Sequence, residues 1–214
     1  LVRTNGAGTV EGCDIFQNAF AGIEISRDGA PIIKNCTIHA GKVCGILVHT
    51  SGAGIVEGCD IFQNAGHGIE IREGGSPIIR NCKIHDGKAS GIAIHADGQG
   101  TVERCEIFKT ALAGIEISNG GNPSIRSCII HDGKDCGIQL GKHARGCLED
   151  CETYGNKTRG LDACLEDEDK PTTNLRRCTF RDKIMAPLSM LMTIKGGPVC
   201  YMTTDITDLP GSSR

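Results

Sequence analysis

The chain has 214 residues, a net charge of −3 and only 3% aromatic residues, with 30 glycines, 13 cysteines and no tryptophan. The length fits one elongated domain, and the small net charge excludes a general electrostatic attraction to nucleic acid or anionic membranes. No apolar run approaches the roughly 18 residues that a membrane-spanning helix requires, so we expect no membrane span.

A cysteine recurs every 23 residues along the first two thirds of the chain, at Cys13, Cys36, Cys59, Cys82, Cys105, Cys128 and Cys151. A glycine keeps the same step from Gly22 to Gly160, and apolar residues alternate after it, as in Ile23-Glu24-Ile25. Alternation predicts short strands, and a fixed period predicts stacked units. A unit of this size is too short for a strand-helix-strand crossover of about 30 residues. We therefore predict an all-β fold, a parallel β-helix (solenoid) with one coil per unit.

A longer period of 46 residues lies on top of this repeat. The segment from Cys13 to Ala19 is identical to the segment from Cys59 to Ala65. One position alternates between phenyl or phenol rings and imidazoles: Phe16, His39, Phe62, His85, Phe108, His131 and Tyr154. We therefore predict double repeats built from two unlike coils.

The residue before each repeating cysteine is predicted to form the bend between two strands. The first four are of types that tolerate a left-handed backbone: Gly12, Asn35, Gly58 and Asn81. Each bend would turn the chain from one face of the coil to the next.

The regular register ends after Gly160. Cys178 follows Cys151 by 27 residues instead of 23, with an insertion at residues 165–170, and the repeat signal disappears from Ile184 onward. We predict a β-helix of about eight coils over residues 1–183. Residues 184–214 are predicted to form a C-terminal cap and a loose tail, because an uncovered last coil would expose its core and an unpaired strand edge.

The repeating cysteines occupy the inward phase of a strand, where a free thiol behaves as a small buried hydrophobe. Their alpha carbons would lie about 4.8 Å apart on neighbouring coils, which a disulfide permits, so bridges between coils stay open as the alternative. The odd total of 13 cysteines favours a reduced thiol ladder. Reduced thiols in turn favour an intracellular, reducing compartment. No CxxC pair occurs, so we expect no metal site and no cofactor.

Six polar residues around the glycine-started strand form the candidate site: Glu24, His49, Glu70, Arg72, His95 and Glu116. The three glutamates are two coils apart, about 9 to 10 Å, near the carboxylate separation of an inverting glycosidase. Under that interpretation the catalytic candidates are Glu70, Glu116 and His95, with the histidine as an assisting base. The alternative is a solvated ladder with no catalytic residue, which the regular repetition favours.

Other polar residues also follow the repeat. We interpret three histidines as turn side chains that bond to neighbouring backbone: His39, His85 and His131. A basic row runs beside them: Lys42, Lys88 and Lys134. Because the chain lacks the aromatic platforms on which bases stack, we expect no nucleic-acid partner. Asn156-Lys157-Thr158 fits a glycosylation sequon.

Three blocks resemble the right-handed parallel β-helix repeats of carbohydrate-binding proteins and sugar hydrolases: Asn122 to Arg126, Ile130 to Lys134 and Ala113 to Ser118. They look most similar to the β-helix region of F-box-only ubiquitin-ligase receptors, over about residues 6–183. The resemblance implies right-handed coils and a surface that binds substrate proteins. The chain departs from those repeats in carrying cysteine where they usually carry asparagine at the inward corner. Neither an F-box nor a zinc-binding module is visible.

Two classes of function follow. The favoured one is a non-enzymatic β-helix scaffold or interaction module that binds another protein or forms part of a larger assembly. Its protein partner would dock, for example, end-on at the N-terminal coil. The alternative is a carbohydrate-binding or carbohydrate-cleaving protein that uses the outward Glu and His face. A cluster of Asp, Glu, His or Arg that breaks the repeat would favour the alternative, and we identify none in the sequence.

Overall fold

A computed structural model describes residues 6–163 and 171–186 of the chain. These residues contain 24 short strands and no helix, arranged as three parallel sheets of eight strands each. Each coil contributes one strand to every sheet.

The first sheet contains β1 (Thr9–Glu11), β4 (Ile32–Lys34), β7 (Ile55–Glu57), β10 (Ile78–Arg80), β13 (Thr101–Glu103), β16 (Ser124–Arg126), β19 (Cys147–Glu149) and β22 (Asn174–Arg176). The second contains β2 (Asp14–Phe16), β5 (Thr37–His39), β8 (Asp60–Phe62), β11 (Lys83–His85), β14 (Glu106–Phe108), β17 (Ile129–His131), β20 (Glu152–Tyr154) and β23 (Thr179–Phe180). The third contains β3 (Ile23–Ile25), β6 (Ile46–Val48), β9 (Ile69–Ile71), β12 (Ile92–Ile94), β15 (Ile115–Ile117), β18 (Ile138–Leu140), β21 (Leu161–Ala163) and β24 (Ile184–Met185).

Neighbouring strands in each sheet are one 23-residue repeat apart. Val10 pairs with Ile33, and Ile33 pairs with Val56. The predicted parallel β-helix is therefore confirmed. The step lengthens only near the C-terminal end of the described coils, where Leu148 pairs with Leu175. The predicted insertion at residues 165–170 lies outside the described residues.

The third sheet continues slightly beyond residue 183, the predicted end of the β-helix. Ile184–Met185 forms β24 and pairs with β21. Residues 187–214, which hold most of the predicted cap and tail, lie outside the described residues.

The interior of the coil is a set of apolar columns. In the third sheet, the alternation of burial is regular: Ile69 and Ile71 are buried, and Glu70 between them is half-buried on the outer face. Because the pairing is in register, each buried isoleucine lies on an isoleucine, valine or leucine of the next coil. Side chains of the outer face are thereby held in equally regular rows.

The repeating cysteines point inward, as predicted. Cys36 to Cys151 in the 23-residue series are buried, and Cys13 in the first described coil is exposed. Each sulfur lies near a backbone carbonyl two residues earlier, as in the 3.3 Å contact of Cys36 Sγ with Lys34 O. All cysteines among the described residues are free thiols, which confirms the reduced ladder for this part of the chain. Cys164 and Cys200 lie outside it.

The bend before each repeating cysteine is left-handed, as predicted. The φ angle is 51° at Asn35, 55° at Asn81 and 50° at Arg104. These residues connect the strands of the first sheet to those of the second. An arginine in this conformation shows that the geometry of the coil overrides the local preference for glycine or asparagine.

A second corner, between the second and third sheets, is held by buried asparagines. Asn64 accepts a hydrogen bond from Gly41 N at 2.9 Å and donates one to Ile38 O at 3.2 Å. Asn156 makes the equivalent bonds two double repeats later. The sequon asparagine is therefore a buried structural residue, with 7% of its surface exposed.

Candidate functional site

The predicted site residues lie on the outer face and at the C-terminal ends of the third-sheet strands. Register places the glutamates two coils apart, with Leu47 between Glu24 and Glu70 and Ala93 between Glu70 and Glu116. The strands fix this row because inward and outward residues alternate along each one. His49, Arg72 and His95 follow the strands in three successive coils.

The first contact in the site joins Glu24 and His49. His49 Nε2 lies 3.2 Å from Glu24 Oε1 on the preceding coil. Its other ring nitrogen, Nδ1, lies 2.8 Å from Thr50 Oγ1 and 3.6 Å from Glu73 Oε2. Both sides of this imidazole are therefore occupied by protein groups.

Glu73 and Arg72 extend the site to the next coil. Thr50 Oγ1 donates a hydrogen bond to Glu73 Oε2 at 2.9 Å, and Arg72 Nη1 pairs with Glu73 Oε1. Arg72 Nε also lies 3.3 Å from Glu70 Oε1. The guanidinium thus bridges two carboxylates.

The last contact joins Glu70 and His95. His95 Nε2 lies 3.3 Å from the same Glu70 Oε1 that Arg72 approaches. The resulting outer-face cluster, here called the Glu–His network, consists of Glu24, His49, Glu73, Arg72, Glu70 and His95. The structure therefore brings together five of the six predicted site residues.

The two histidine pairs differ in one respect. Residues 96 and 119, one double repeat after Thr50 and Glu73, are Ala96 and Asn119. Within the described coils, His95 Nδ1 consequently has no protein partner like those that hold His49 Nδ1. His95 can therefore bond to a ligand with this nitrogen while Glu70 orients the ring from the other side.

Glu116 does not join the network. It accepts a hydrogen bond from Ser90 Oγ at 2.9 Å, and the position where the repeat would place a third histidine is Gly141. The proposed catalytic set of Glu70, Glu116 and His95 is therefore not assembled as one cluster; Glu70 and His95 are in contact, and Glu116 is bonded elsewhere.

The local environment affects two ionisable groups at the network. The hydrogen bond from Thr50, together with the charges of Arg72 and His49, lowers the pKa of the exposed Glu73 carboxyl. Beneath the network, burial and the nearby Glu70 carboxylate raise the pKa of the Cys44 thiol to about 12. Cys44 is therefore a neutral thiol at physiological pH, and Glu73 is a carboxylate.

Glu73 belongs to the network but is not among the site residues predicted from the sequence. It lies in a turn, outside the alternating strand pattern that identified the other residues. The sequence signal for Glu73 is a departure from the repeat, because Arg72 and Glu73 occur in one coil only. The equivalent positions one double repeat later hold Ser118 and Asn119.

The interpretation of the other histidines as backbone-bonding turn residues was wrong. His39 Nε2 lies 3.0 Å from Asp14 Oδ1, and His85 and His131 contact Asp60 and Glu106 in the same way. Each imidazole is also stacked between the rings of neighbouring coils, with centroids 4.6 to 5.4 Å apart. The side chains lie along the outer face of the second sheet, so they meet other side chains of their column.

Among residues 6–163 and 171–186, no group of three or more His, Cys, Asp or Glu side chains is arranged to hold a metal ion. In the same part of the chain, no helix has the length and apolar character for a bilayer crossing.

Comparison with solved structures identifies similar coils in carbohydrate-active proteins. The A-module of the mannuronan C-5 epimerase from Azotobacter vinelandii matches with a TM-score of 0.65 and 14% identity, over 84% of this chain and 54% of the other. A periplasmic alginate epimerase matches with a TM-score of 0.67 and 16% identity, over 83% and 54%. A pectate lyase matches with a TM-score of 0.61 and 12% identity, over 81% and 49%.

The chain therefore spans about half the length of these structures. At this level of identity the similarity establishes the fold. No curated protein sequence matches the chain.

The family described as "right handed beta helix region" matches residues 1–110, which is just over half of the chain. This family match agrees with the three parallel sheets and confirms the right-handed coil that the resemblance to β-helix repeats implied. The chain belongs to the right-handed β-helix family.

Proposed function

We propose that this β-helix binds carbohydrate at the Glu–His network on the outer face of the third sheet. The observation that carries the proposal is the contact of Glu70 with His95, in which the second ring nitrogen of His95 has no partner among the described residues. The similar folds of a mannuronan C-5 epimerase, an alginate epimerase and a pectate lyase support a carbohydrate ligand.

The chemistry of the network suits a polyhydroxylated ligand. Carboxylates accept hydrogen bonds from sugar hydroxyls, whereas guanidinium groups donate them and imidazoles can do either. Glu70 and His95 are partly exposed, at 20% and 29% of their side-chain surface, so a ligand can reach both. The flat outer face of the sheet presents them along the direction in which the coils stack.

The same pair has the arrangement of a base oriented by a carboxylate. Glu70 would hold the imidazole from Nε2 and leave Nδ1 to exchange a proton with a bound sugar. Binding is the function proposed here, and cleavage is an additional activity that the same experiment detects.

The test is affinity electrophoresis of the chain against a panel of neutral and acidic polysaccharides, with an assay for released reducing ends on each. Glu70→Gln and His95→Ala should weaken binding at least tenfold, which is about 1.4 kcal/mol. Glu116→Gln is the matched control, because it removes a carboxylate from the same row outside the network. Wild-type failure to bind any polysaccharide, or equal binding by His95→Ala, would overturn the proposal.

A second candidate function is protein binding, as in the favoured interpretation of the sequence and in its resemblance to F-box-only receptors. The first sheet supports it with an exposed apolar row on its outer face, formed by Ile32, Ile55 and Ile78; Ile32 and Ile78 are each 41% exposed. A partner captured by the wild-type chain and lost with Ile32→Thr and Ile78→Thr would support this candidate. Capture that neither change affects would show that the isoleucine row is not the binding surface, and it would favour a partner that docks end-on.

We also propose an intracellular, reducing location for the chain. The buried free thiols support it, since neighbouring sulfurs in an oxidising compartment would be exposed to bridge formation during folding. Counting reactive thiols by mass spectrometry in the unfolded protein from its natural source tests the proposal, and disulfides between coils would contradict it.

A further inference from the structure

A shallow polar groove of about 580 Å³ runs along the first sheet, at the turn that enters it from the third. It does not include the Glu–His network. Its walls are formed by two columns of equivalent residues in successive coils. The turn column contains Ser76, and the strand column contains Thr101, the first residue of its strand.

The repeat changes its chemistry at this groove. The turn column reads Ala7, Ala30, Ala53, Ser76, Gln99, Asn122 and Arg145, and the strand column reads Thr9, Ile32, Ile55, Ile78, Thr101, Ser124 and Cys147. After the first coil, where the strand column holds Thr9, the alanines and isoleucines of coils two and three give way in the later coils to hydroxyls, amides, one guanidinium and one thiol. The core columns of the same coils keep their apolar residues, so packing does not explain the change.

The backbone of the groove is hydrogen-bonded from coil to coil, whereas three of its polar side chains are unengaged. Gln99 N, Asn122 N and Arg145 N each donate a hydrogen bond of 2.8 to 2.9 Å to a carbonyl of the preceding coil. In the described residues, the side chains of these three make no hydrogen bond or ion pair with protein. Their polar groups are therefore available to a ligand.

Glycine and proline alternate along the floor of the groove, so no long side chain rises from it. Gly100 and Gly146 alternate with Pro77 and Pro123, and their φ angles are 107° and 102°. A Cβ at Gly146 would collide with the carbonyl oxygen of Pro123. The depression is therefore maintained by backbone geometry.

The lining identifies the class of ligand. From Ser76 to Thr172 the groove crosses four coil steps, about 19 Å at roughly 4.8 Å per coil. Hydroxyl and amide groups both donate and accept hydrogen bonds, as the hydroxyls of a sugar require. Among the described residues that line the groove, Arg145 is the only one with a charged side chain and none carries a carboxylate. A guanidinium fork pairs with carboxylate or sulfate groups.

We propose that this groove is a second binding site, which takes an extended segment of an acidic polysaccharide with one acidic group at Arg145. This inference rests on the proposed carbohydrate function but uses different residues on a different sheet. The two sites can therefore be separated by mutation.

The experiment measures binding of the full chain to polygalacturonate, alginate, hyaluronate and chondroitin sulfate. Methyl-esterified polygalacturonate is the neutral comparison, and polyglutamate is the acidic peptide comparison. Arg145→Gln should weaken binding to the best acidic polymer at least tenfold, and Asn122→Ala should weaken it about threefold. Arg27→Gln is the control, because Arg27 is an exposed arginine in an equivalent turn several coils away.

Each outcome decides the proposal. Preferential binding of an acidic polysaccharide over its methyl ester, lost with Arg145→Gln and kept with Arg27→Gln, supports it. Failure to bind all four acidic polysaccharides overturns it, as does equal binding of the methyl ester or of polyglutamate. Binding that falls with Glu70→Gln but not with Arg145→Gln overturns the groove as a binding site and leaves the proposed function standing. Binding that falls with Arg145→Gln but not with Glu70→Gln supports the groove and overturns the Glu–His network as the carbohydrate site.

Discussion

The ring of His39 lies flat against the ring of Phe62 on the next coil, with 4.8 Å between centroids and 4° between their planes. Phe62 is stacked in turn on His85, at 5.1 Å and 10°. A single phenyl ring therefore covers two imidazoles, and the outer face of the second sheet is held by a continuous column of rings.

Replacing Phe62 should weaken the fold measurably. Each stacked pair contributes about 0.5–1.5 kcal/mol beyond its buried area, so Phe62→Leu should lower the free energy of unfolding by about 1–3 kcal/mol. Urea denaturation followed by circular dichroism measures this. Phe20→Leu is the control, because Phe20 is 80% exposed and its loss should change stability by less than about 0.5 kcal/mol. Equal effects of the two changes would show that the stacking is not stabilising.

Replacing Thr110 with asparagine should stabilise the chain. Thr110 occupies the corner position of Asn64 and Asn156, but its hydroxyl donates to Leu112 O at 3.0 Å. Gly87 therefore lacks the side-chain acceptor that Asn64 provides for Gly41. Thr110→Asn restores that acceptor and should add about 1 kcal/mol.

Thermal unfolding of Thr110→Asn and of the reverse change, Asn64→Thr, tests this corner. The two should shift the midpoint in opposite directions. A lower thermal unfolding midpoint for Thr110→Asn would mean that the corner at this coil does not accommodate the asparagine side chain.

The stability of the fold should fall in alkaline solution. Burial, with the charge of Glu70, raises the pKa of Cys44 to about 12 from an ordinary 9.0. Burial, with the charges of Asp135 and Asp162, raises the pKa of Cys136 to about 12 as well. A raised folded-state pKa gives stability that is complete below pH 9 and is lost as the pH rises toward 12, because the unfolded thiols ionise first.

Urea midpoints between pH 8 and pH 11 check this prediction. The wild-type midpoint should fall across the range, and the double change Cys44→Ala and Cys136→Ala should flatten part of the fall. An identical slope for the wild type and the double variant would contradict the assignment to these thiols.

The glycine column at the start of the third-sheet strands is fixed by close packing. A Cβ at Gly114 would lie 2.7 Å from Gly137 O and would collide with Ile130 Cγ2. Gly114→Ala should therefore lower the free energy of unfolding by about 1–3 kcal/mol. Gly87→Ala is the matched control: its Cβ would have no heavy atom closer than 3.8 Å. Chemical denaturation of both variants gives the comparison, and a tolerated Gly114→Ala would show that the coils can separate locally.

The repeat predicted the fold because equivalent residues of a stack must occupy equivalent positions. The inward direction of Cys82 and the left-handed bend at Asn81 both follow from the period and the alternation along a strand. The adjacency of Phe62 and His85 follows in the same way. The 46-residue period identifies that column, but its stacking was not predicted because the histidines were interpreted as turn residues.

Membership of a column was thus determined by the sequence alone, and so were the coil length, the parallel pairing and the buried thiol ladder. The partners of polar side chains were decided only by the tertiary structure. Glu73 meets His49, whereas Glu116 bonds to Ser90 instead of a histidine. The physical reason is that a 23-residue period fixes where each backbone position lies. Hydrogen bonding instead requires that the ends of two side chains lie about 3 Å apart. These distances differ from coil to coil wherever a turn residue is exchanged.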